Sequence, residues 1–229
     1  VQAIVDSAFA FAGQKCSSCS RLIVLGGVYD ALCSRLRDAV NSIPIGPAEE
    51  PMTMTGPVID ETAVARIQQY IELARNEGKV FVQAQLPRNC DQGFFVPPTV
   101  VTDISPRSNV SQEEIFGPVL AVHAAPDFDA ALRIANETRY ALTGGLFSRS
   151  PSHIEQARRE FEVGNLYINR RITGSQVDAQ PFGGFKLSGT GVKAGSQDYL
   201  LHFMDARCIT ENTQRSGFVP DEQRSGAKS

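Results

Sequence analysis

The stretch Phe9-Ala10-Phe11-Ala12-Gly13-Gln14-Lys15-Cys16-Ser17-Ser18-Cys19-Ser20-Arg21-Leu22-Ile23-Val24-Leu25 joins a helical pattern to a strand. Before it, apolar or small side chains at Ala3, Ile4, Ala8 and Phe11 recur at helical spacing, and Gly13 is a natural helix terminator. At its end, residues 21–25 form a short apolar, β-branched run. A thiol is thereby delivered just past a helix end. A nucleophilic thiolate needs an exposed, rigidly mounted turn, small neighbours through which a substrate approaches, and free backbone N–H groups for an oxyanion. Gly13, Ser17 and Ser18 fit that requirement around Cys16, whose own N–H is a reasonable oxyanion donor. An inert, packed thiol is the alternative reading of a lone cysteine.

The Cys16-x-x-Cys19 spacing also admits a redox pair or half of a zinc site. A thioredoxin-like pair opens a helix after a strand, whereas here the helix precedes the first cysteine. A zinc site needs a second pair, yet Cys33, Cys90 and Cys208 are scattered and His123, His153 and His202 form no cluster.

Moving outward, Gly26-Gly27 leads into helical spacing over 29–43, with Leu32, Leu36, Val40 and Ile43 on one face. A Pro/Gly-rich connection over 44–57 precedes a helix that opens at 59–62 and runs to about residue 76. Strands are expected at 80–84, 119–124, 142–147 and 165–169, and helices at 127–137, with Asp127 as cap, and 150–161, with Pro151 in the first turn. Residues 93–102 carry Pro97-Pro98 and read as an extended edge segment. This alternation predicts an α/β fold with a mostly parallel sheet flanked by helices, its function carried on the loops.

The character changes after residue 173. Glycine and small polar residues dominate to 196, then 199–204 is apolar and 207–210 reads as a strand with no helix after it. Such a strand pairs across a subunit boundary or closes the edge of its own sheet. The expected division is therefore a thiol-bearing domain over 1–198, an oligomerisation strand segment over 199–212 and a polar, flexible tail over 213–229.

The bulk numbers bound the function. A hydrophobic content of 42% suffices for a substantial core, and a formal net charge of −3 without a basic stripe argues against a nucleic-acid partner. Neither a membrane-spanning apolar run nor a secretion signal is visible. Five cysteines without framework spacing point to a reducing compartment, by default the cytoplasm or an organelle matrix after processing.

Several segments in fixed order are similar to the aldehyde dehydrogenase superfamily. Gly13-Gln14-Lys15-Cys16 resembles its active-site cysteine signature, and Gln112-Glu113-Glu114-Ile115-Phe116-Gly117-Pro118-Val119 its cofactor-contacting loop. Asn165-Leu166-Tyr167-Ile168-Asn169 and Pro181-Phe182-Gly183-Gly184-Phe185-Lys186-Leu187-Ser188-Gly189 resemble its late substrate-side segments. Within it, residues 15–21, 171–175 and 193–200 look like the pyrroline-5-carboxylate (L-glutamate γ-semialdehyde) dehydrogenases, some of which are fused to proline dehydrogenase. Two departures are Ser175, where the family often has alanine, and Ser196-Gln197, where it usually has Gly-Pro.

The resemblance implies NAD-dependent oxidation of an aldehyde through a thiohemiacetal and a thioester on Cys16, with Cys19 as a packing residue. It implies that Glu114 bonds the nicotinamide ribose and Phe116 packs beside it. Ser17, Gly174 and Ser175 would hold the substrate's amino-acid end, Phe182 would wall the aldehyde channel, and the late strand would join subunits of a homo-oligomer. The superfamily's dinucleotide domain, general-base glutamate and side-chain oxyanion amide all precede the cysteine. Val1 falls inside a helical pattern without a cap or a methionine, so the chain is expected to be a piece that alone binds NAD poorly. Other readings are an aldehyde dehydrogenase for a different aldehyde, and a non-catalytic assembly module.

Overall fold

The computed structural model describes residues 1–176 and 178–213. They fall into two compact units, Val1–Ser196 and a second that starts at Gln197. In chain order the first unit contains α1 (Gln2–Phe9), β1 (Arg21–Leu25), α2 (Tyr29–Asn41), α3 (Glu61–Glu77), β2 (Lys79–Gln83), β3 (Thr99–Thr102), the single turn α4 (Asn109–Gln112), β4 (Val119–Ala125), α5 (Phe128–Asn136), β5 (Tyr140–Ala141), β6 (Thr143–Leu146), α6 (Pro151–Glu160), β7 (Asn165–Ile168) and β8 (Phe185–Lys186). α3, α5 and α6 begin where a side chain satisfies a free N–H group of the first turn. Asp60 accepts from the Ala63 N–H, Asp127 from Ala130, and Ser150 from His153 with Pro151 beside it.

The main sheet has the order β1-β4-β3-β2, with β1 and β3 parallel to β4 and β2 antiparallel to β3. It is mostly parallel, as expected, with β2 as an antiparallel strand at one edge. Both faces are buried, and the strand alternation sorts the core accordingly. Val100, Leu120 and Val122 join Leu36 and Val40 of α2 and Phe9 of α1, whereas Val101, Val119 and Ala121 join Ile67, Ile71 and Ala74 of α3. Two further ladders, β6 parallel to β7 and β5 antiparallel to β8, complete the unit.

Two expectations need correction. Residues 93–102 are not an edge segment, because β3 lies between β4 and β2 and is buried throughout. Pro97 and Pro98 precede the ladder rather than interrupt it, and the Pro98 carbonyl accepts from the Ala84 N–H. Residues 207–210 form no strand in the described chain. A strand exists through its ladder bonds, and this segment makes none here. Its unit begins as a 3-10 helix over Gln197–Phe203, with Tyr199 edge-on to Phe203 at 5.3 Å, and continues irregularly to residue 213. Most of the tail expected over 213–229 lies outside the described residues.

His123 on β4 is 3% exposed, with Nδ1 3.2 Å from the Ile104 carbonyl and Nε2 3.4 Å from Ser111 Oγ. Burial, reinforced by the Arg21 charge, pulls its pKa from 6.5 down to about 4. Between these values the unfolded chain takes up a proton that the native chain refuses. Its contribution is thus complete above pH 6.5 and is lost as pH falls to 4, of order 3 kcal/mol. Urea midpoints measured across that window should fall with acid, and His123→Gln should remove about one proton from the slope; an unaltered slope would refute the assignment.

Candidate active site

The thiol turn is built by abrupt reversal of the chain at the end of α1. Phe11, Ala12 and Gly13 all adopt left-handed backbone, with φ of 58°, 53° and 68°. Only the last is free of a Cβ penalty, which for the other residues is about 1–2 kcal/mol each. The reversal is held from several sides. Thr55 Oγ1, fully buried, donates to the Phe9 carbonyl at 2.9 Å, and Gln14 Oε1 accepts from the Ile59 N–H at 2.9 Å. The Lys15 carbonyl then accepts from the Ser18 N–H at 2.9 Å, closing a β-turn with Cys16 and Ser17 at its centre. Cys16 is exposed there, and Ser17 is turned inward at 8% exposure.

Cys19 lies in the opposite environment. Its Sγ–H donates to the Arg21 carbonyl at 3.4 Å, and burial pushes its pKa up to about 11, so it stays a thiol. Arg21 runs beneath the turn, donating from Nη2 to the Ile134 carbonyl at 2.6 Å and so satisfying the C-terminal turn of α5. Burial lowers its pKa. Ser7 links two loops, its carbonyl accepting from the Cys19 N–H at 2.9 Å and its Oγ from the Ile172 N–H at 3.2 Å.

Facing the thiol turn is the segment 113–117, and the two meet backbone to backbone. A methyl group on Gly13 would lie 2.3 Å from the Gly117 oxygen, and one on Gly117 2.6 Å from Ile67 Cδ1. Phe116, left-handed at φ 54°, is exposed, as is Glu114, while Ile115 and Gly117 are buried. Cys16, Glu114 and Phe116 thus line one cleft of about 370 Å³, within the range of small-molecule sites. Its remaining walls include Arg21, Tyr140, Leu142, Thr143 and Ile172. No group of three or more metal-ligating side chains exists among the described residues.

The structure does not bring the other expected residues to this cleft. Ser17 is buried, and Ser175 Oγ closes its own turn on the Gln180 carbonyl at 2.7 Å. Gly174 is exposed, with its carbonyl accepting from Arg170 at 3.4 Å. Phe182 is half-buried and pairs through both backbone groups with Ala194. From its segment it is Leu187 and Ser188 that reach the cleft, because the Leu187 N–H donates to the Arg139 carbonyl and Ser188 Oγ accepts from the Ala141 N–H. Sequence reasoning missed Thr55, Arg21, Arg66 and Tyr70 as supports. Only the helical spacing of Arg66 and Tyr70 hinted at a shared face.

A sequence model of the aldehyde dehydrogenase family matches residues 1–209. The 1-pyrroline-5-carboxylate dehydrogenase of Anoxybacillus flavithermus is 49% identical over 210 residues, which are 92% of this chain and 40% of that protein. Among solved structures, proline utilization A from Bdellovibrio bacteriovorus superposes with a TM-score of 0.90 at 51% identity, over 96% of this chain and 22% of that one. A 1-pyrroline-5-carboxylate dehydrogenase from Thermus with bound NAD superposes at 0.85 with 47% identity, over 89% and 39%. The chain spans about 40% of the length of the curated relatives it matches.

Two outcomes follow from this geometry. Iodoacetamide should label Cys16 and Cys208 in the native chain, both exposed, and reach Cys19, Cys33 and Cys90 only after unfolding, as peptide mapping would read. Gly13→Ala should cost roughly 2–4 kcal/mol in urea denaturation, from the left-handed backbone and the clash with Gly117 together.

Proposed function

Because the chain belongs to the aldehyde dehydrogenase family, we propose that it is the thiol-bearing part of an NAD-dependent dehydrogenase for L-glutamate γ-semialdehyde, the open form of pyrroline-5-carboxylate. The observation that carries this reading is that an exposed Cys16 shares its cleft with the Glu114 and Phe116 side chains across the Gly13–Gly117 contact.

The residues present fit the nicotinamide end of NAD. An exposed carboxylate at Glu114 can accept from two adjacent ribose hydroxyls, and an exposed ring at Phe116 offers a face to pack against a flat heterocycle. When bound, NAD supplies the acceptor for the hydride that the substrate carbon gives up. The chain's own part is nucleophilic. The Cys16 thiolate adds to the aldehyde carbon, and the carbonyl π electrons move to oxygen, giving an oxyanion for the Cys16 N–H to receive. Once that carbon has been oxidised, Cys16 Sγ holds the acyl group as a thioester until water releases the acid and restores the thiol. Cys19, kept protonated by burial, does not compete.

Assembly is part of the same proposal. Tyr199, Leu200, Leu201, Phe203, Met204 and Ile209 are all exposed, an apolar run of the kind that partner surfaces cover. A homo-oligomer joined through this segment accounts for it.

The test is a graft. Placed in the Anoxybacillus flavithermus relative in exchange for the 210 residues it matches, the chain should support NADH formation from pyrroline-5-carboxylate. Cys16→Ala in the graft should cut the rate by about four orders of magnitude or more. Equal turnover of aldehydes that lack the amino-acid end would overturn the substrate assignment. The 229-residue chain by itself should bind NAD weakly and turn over little.

A further inference from the structure

We propose that Tyr70 sorts the adjacent carboxylates of the cleft, pinning Glu113 to α3 so that Glu114 is the one presented to a ligand. The inference concerns how the segment 113–117 is set, and it rests on the proposed function only for the identity of that ligand.

Glu113 and Glu114 are chemically equivalent neighbours, and both border the cleft. Their environments differ, as do those of the residues that follow. Glu113, Ile115 and Gly117 are partly or fully buried, and Glu114 and Phe116 are exposed. α3 receives the first set at successive points. Tyr70 Oη donates to Glu113 Oε2 at 2.5 Å, Arg66 Nε donates to the Ile115 carbonyl at 3.3 Å, and Ile67 packs where a Gly117 side chain would stand. Arg66, Ile67 and Tyr70 lie on one helical face, so a rigid element reads every second residue of the segment.

Of these contacts, the one from Tyr70 alone distinguishes the two acids, since the other two engage the backbone or a missing side chain. The phenol keeps its proton well above neutrality, its pKa raised to about 12 first by the bond to Glu113 and then by burial. It therefore remains a donor across the working range, and a hydrogen bond to a charged acceptor is among the stronger ones. Phe116 adds a reason for such a brace, because its left-handed backbone persists only where the surroundings over-determine it.

The test uses the 229-residue chain in two readouts, amide hydrogen exchange over residues 113–117 and fluorescence titration with reduced nicotinamide mononucleotide. Tyr70→Phe should speed exchange in the segment by about tenfold and weaken binding of the nucleotide by a similar factor. Glu113→Ala should match it, and the double variant should be no worse than either single one. Glu113→Gln, which keeps an acceptor for the phenol, should stay close to the parent. An unchanged rate of Cys16 alkylation in each variant identifies the effect as local. Exchange that is unaltered in both Tyr70→Phe and Glu113→Ala overturns the proposal. Faster exchange with the nucleotide bound equally in every variant leaves Tyr70 its role and overturns the nicotinamide reading of Glu114.

Discussion

The cleft depends on how closely two backbones approach at Gly13 and Gly117. No side chain separates them, and Ile67 of α3 fills the space on the far side of Gly117. This stack brings the thiol turn and the 113–117 segment, distant in sequence, to van der Waals contact. A methyl group at Gly13 would push the two walls of the cleft apart, and one at Gly117 would press its wall off α3. Both glycines therefore cost conformational entropy on folding and return a fixed width to the site.

Strain and support are distributed around that contact in a matched way. Left-handed backbone at Phe11 and Ala12 is unfavourable, yet Thr55 holds the carbonyl just before it and the Ile59 N–H holds Gln14 just after. On the opposite wall, Phe116 is flanked by Ile115, bonded through its carbonyl to Arg66, and by Gly117, packed on Ile67. Each strained residue thus sits between anchored neighbours, the condition under which strain persists. The connection between α2 and α3 anchors the thiol turn through Thr55 and Ile59, and α3 itself anchors the opposite wall, so the packing that buries the core also positions the site.

The thiols show how finely environment divides chemistry. Cys16 and Cys19 are near neighbours in sequence, but a β-turn exposes the first and returns the second to the protein, where it donates to Arg21 and loses solvation. Arg21 itself is consumed in satisfying the end of α5. The cationic group closest to the turn in sequence, Lys15, lies 4.3 Å above the Phe11 ring, so the strained residue also places a charge at the rim of the cleft.

Much of this was legible in the sequence because it rests on local rules. Asp60, Asp127 and Ser150 mark helix starts through the needs of a first turn, and residues 21–25 declare a strand by their side chains. The motif around Cys16 and the one around Glu114 and Phe116 named residues that do meet in one cleft. What sequence alone missed is whatever depends on partners far along the chain. The prolines at 97–98 suggested an edge, but burial on both faces and a neighbour on each side make β3 interior. Residues 207–210 have strand-forming side chains and form no ladder in this chain. Leu187 and Ser188, rather than Phe182, reach the cleft, since backbone bonds from residues 139–141 decide which part of that loop is drawn in. Sequence determined the elements and the chemistry of the thiol turn, whose causes lie within a few residues; tertiary structure decided which surfaces meet, because the approach of Gly13 to Gly117 and the grip of α3 on Glu113 exist only once distant segments pack.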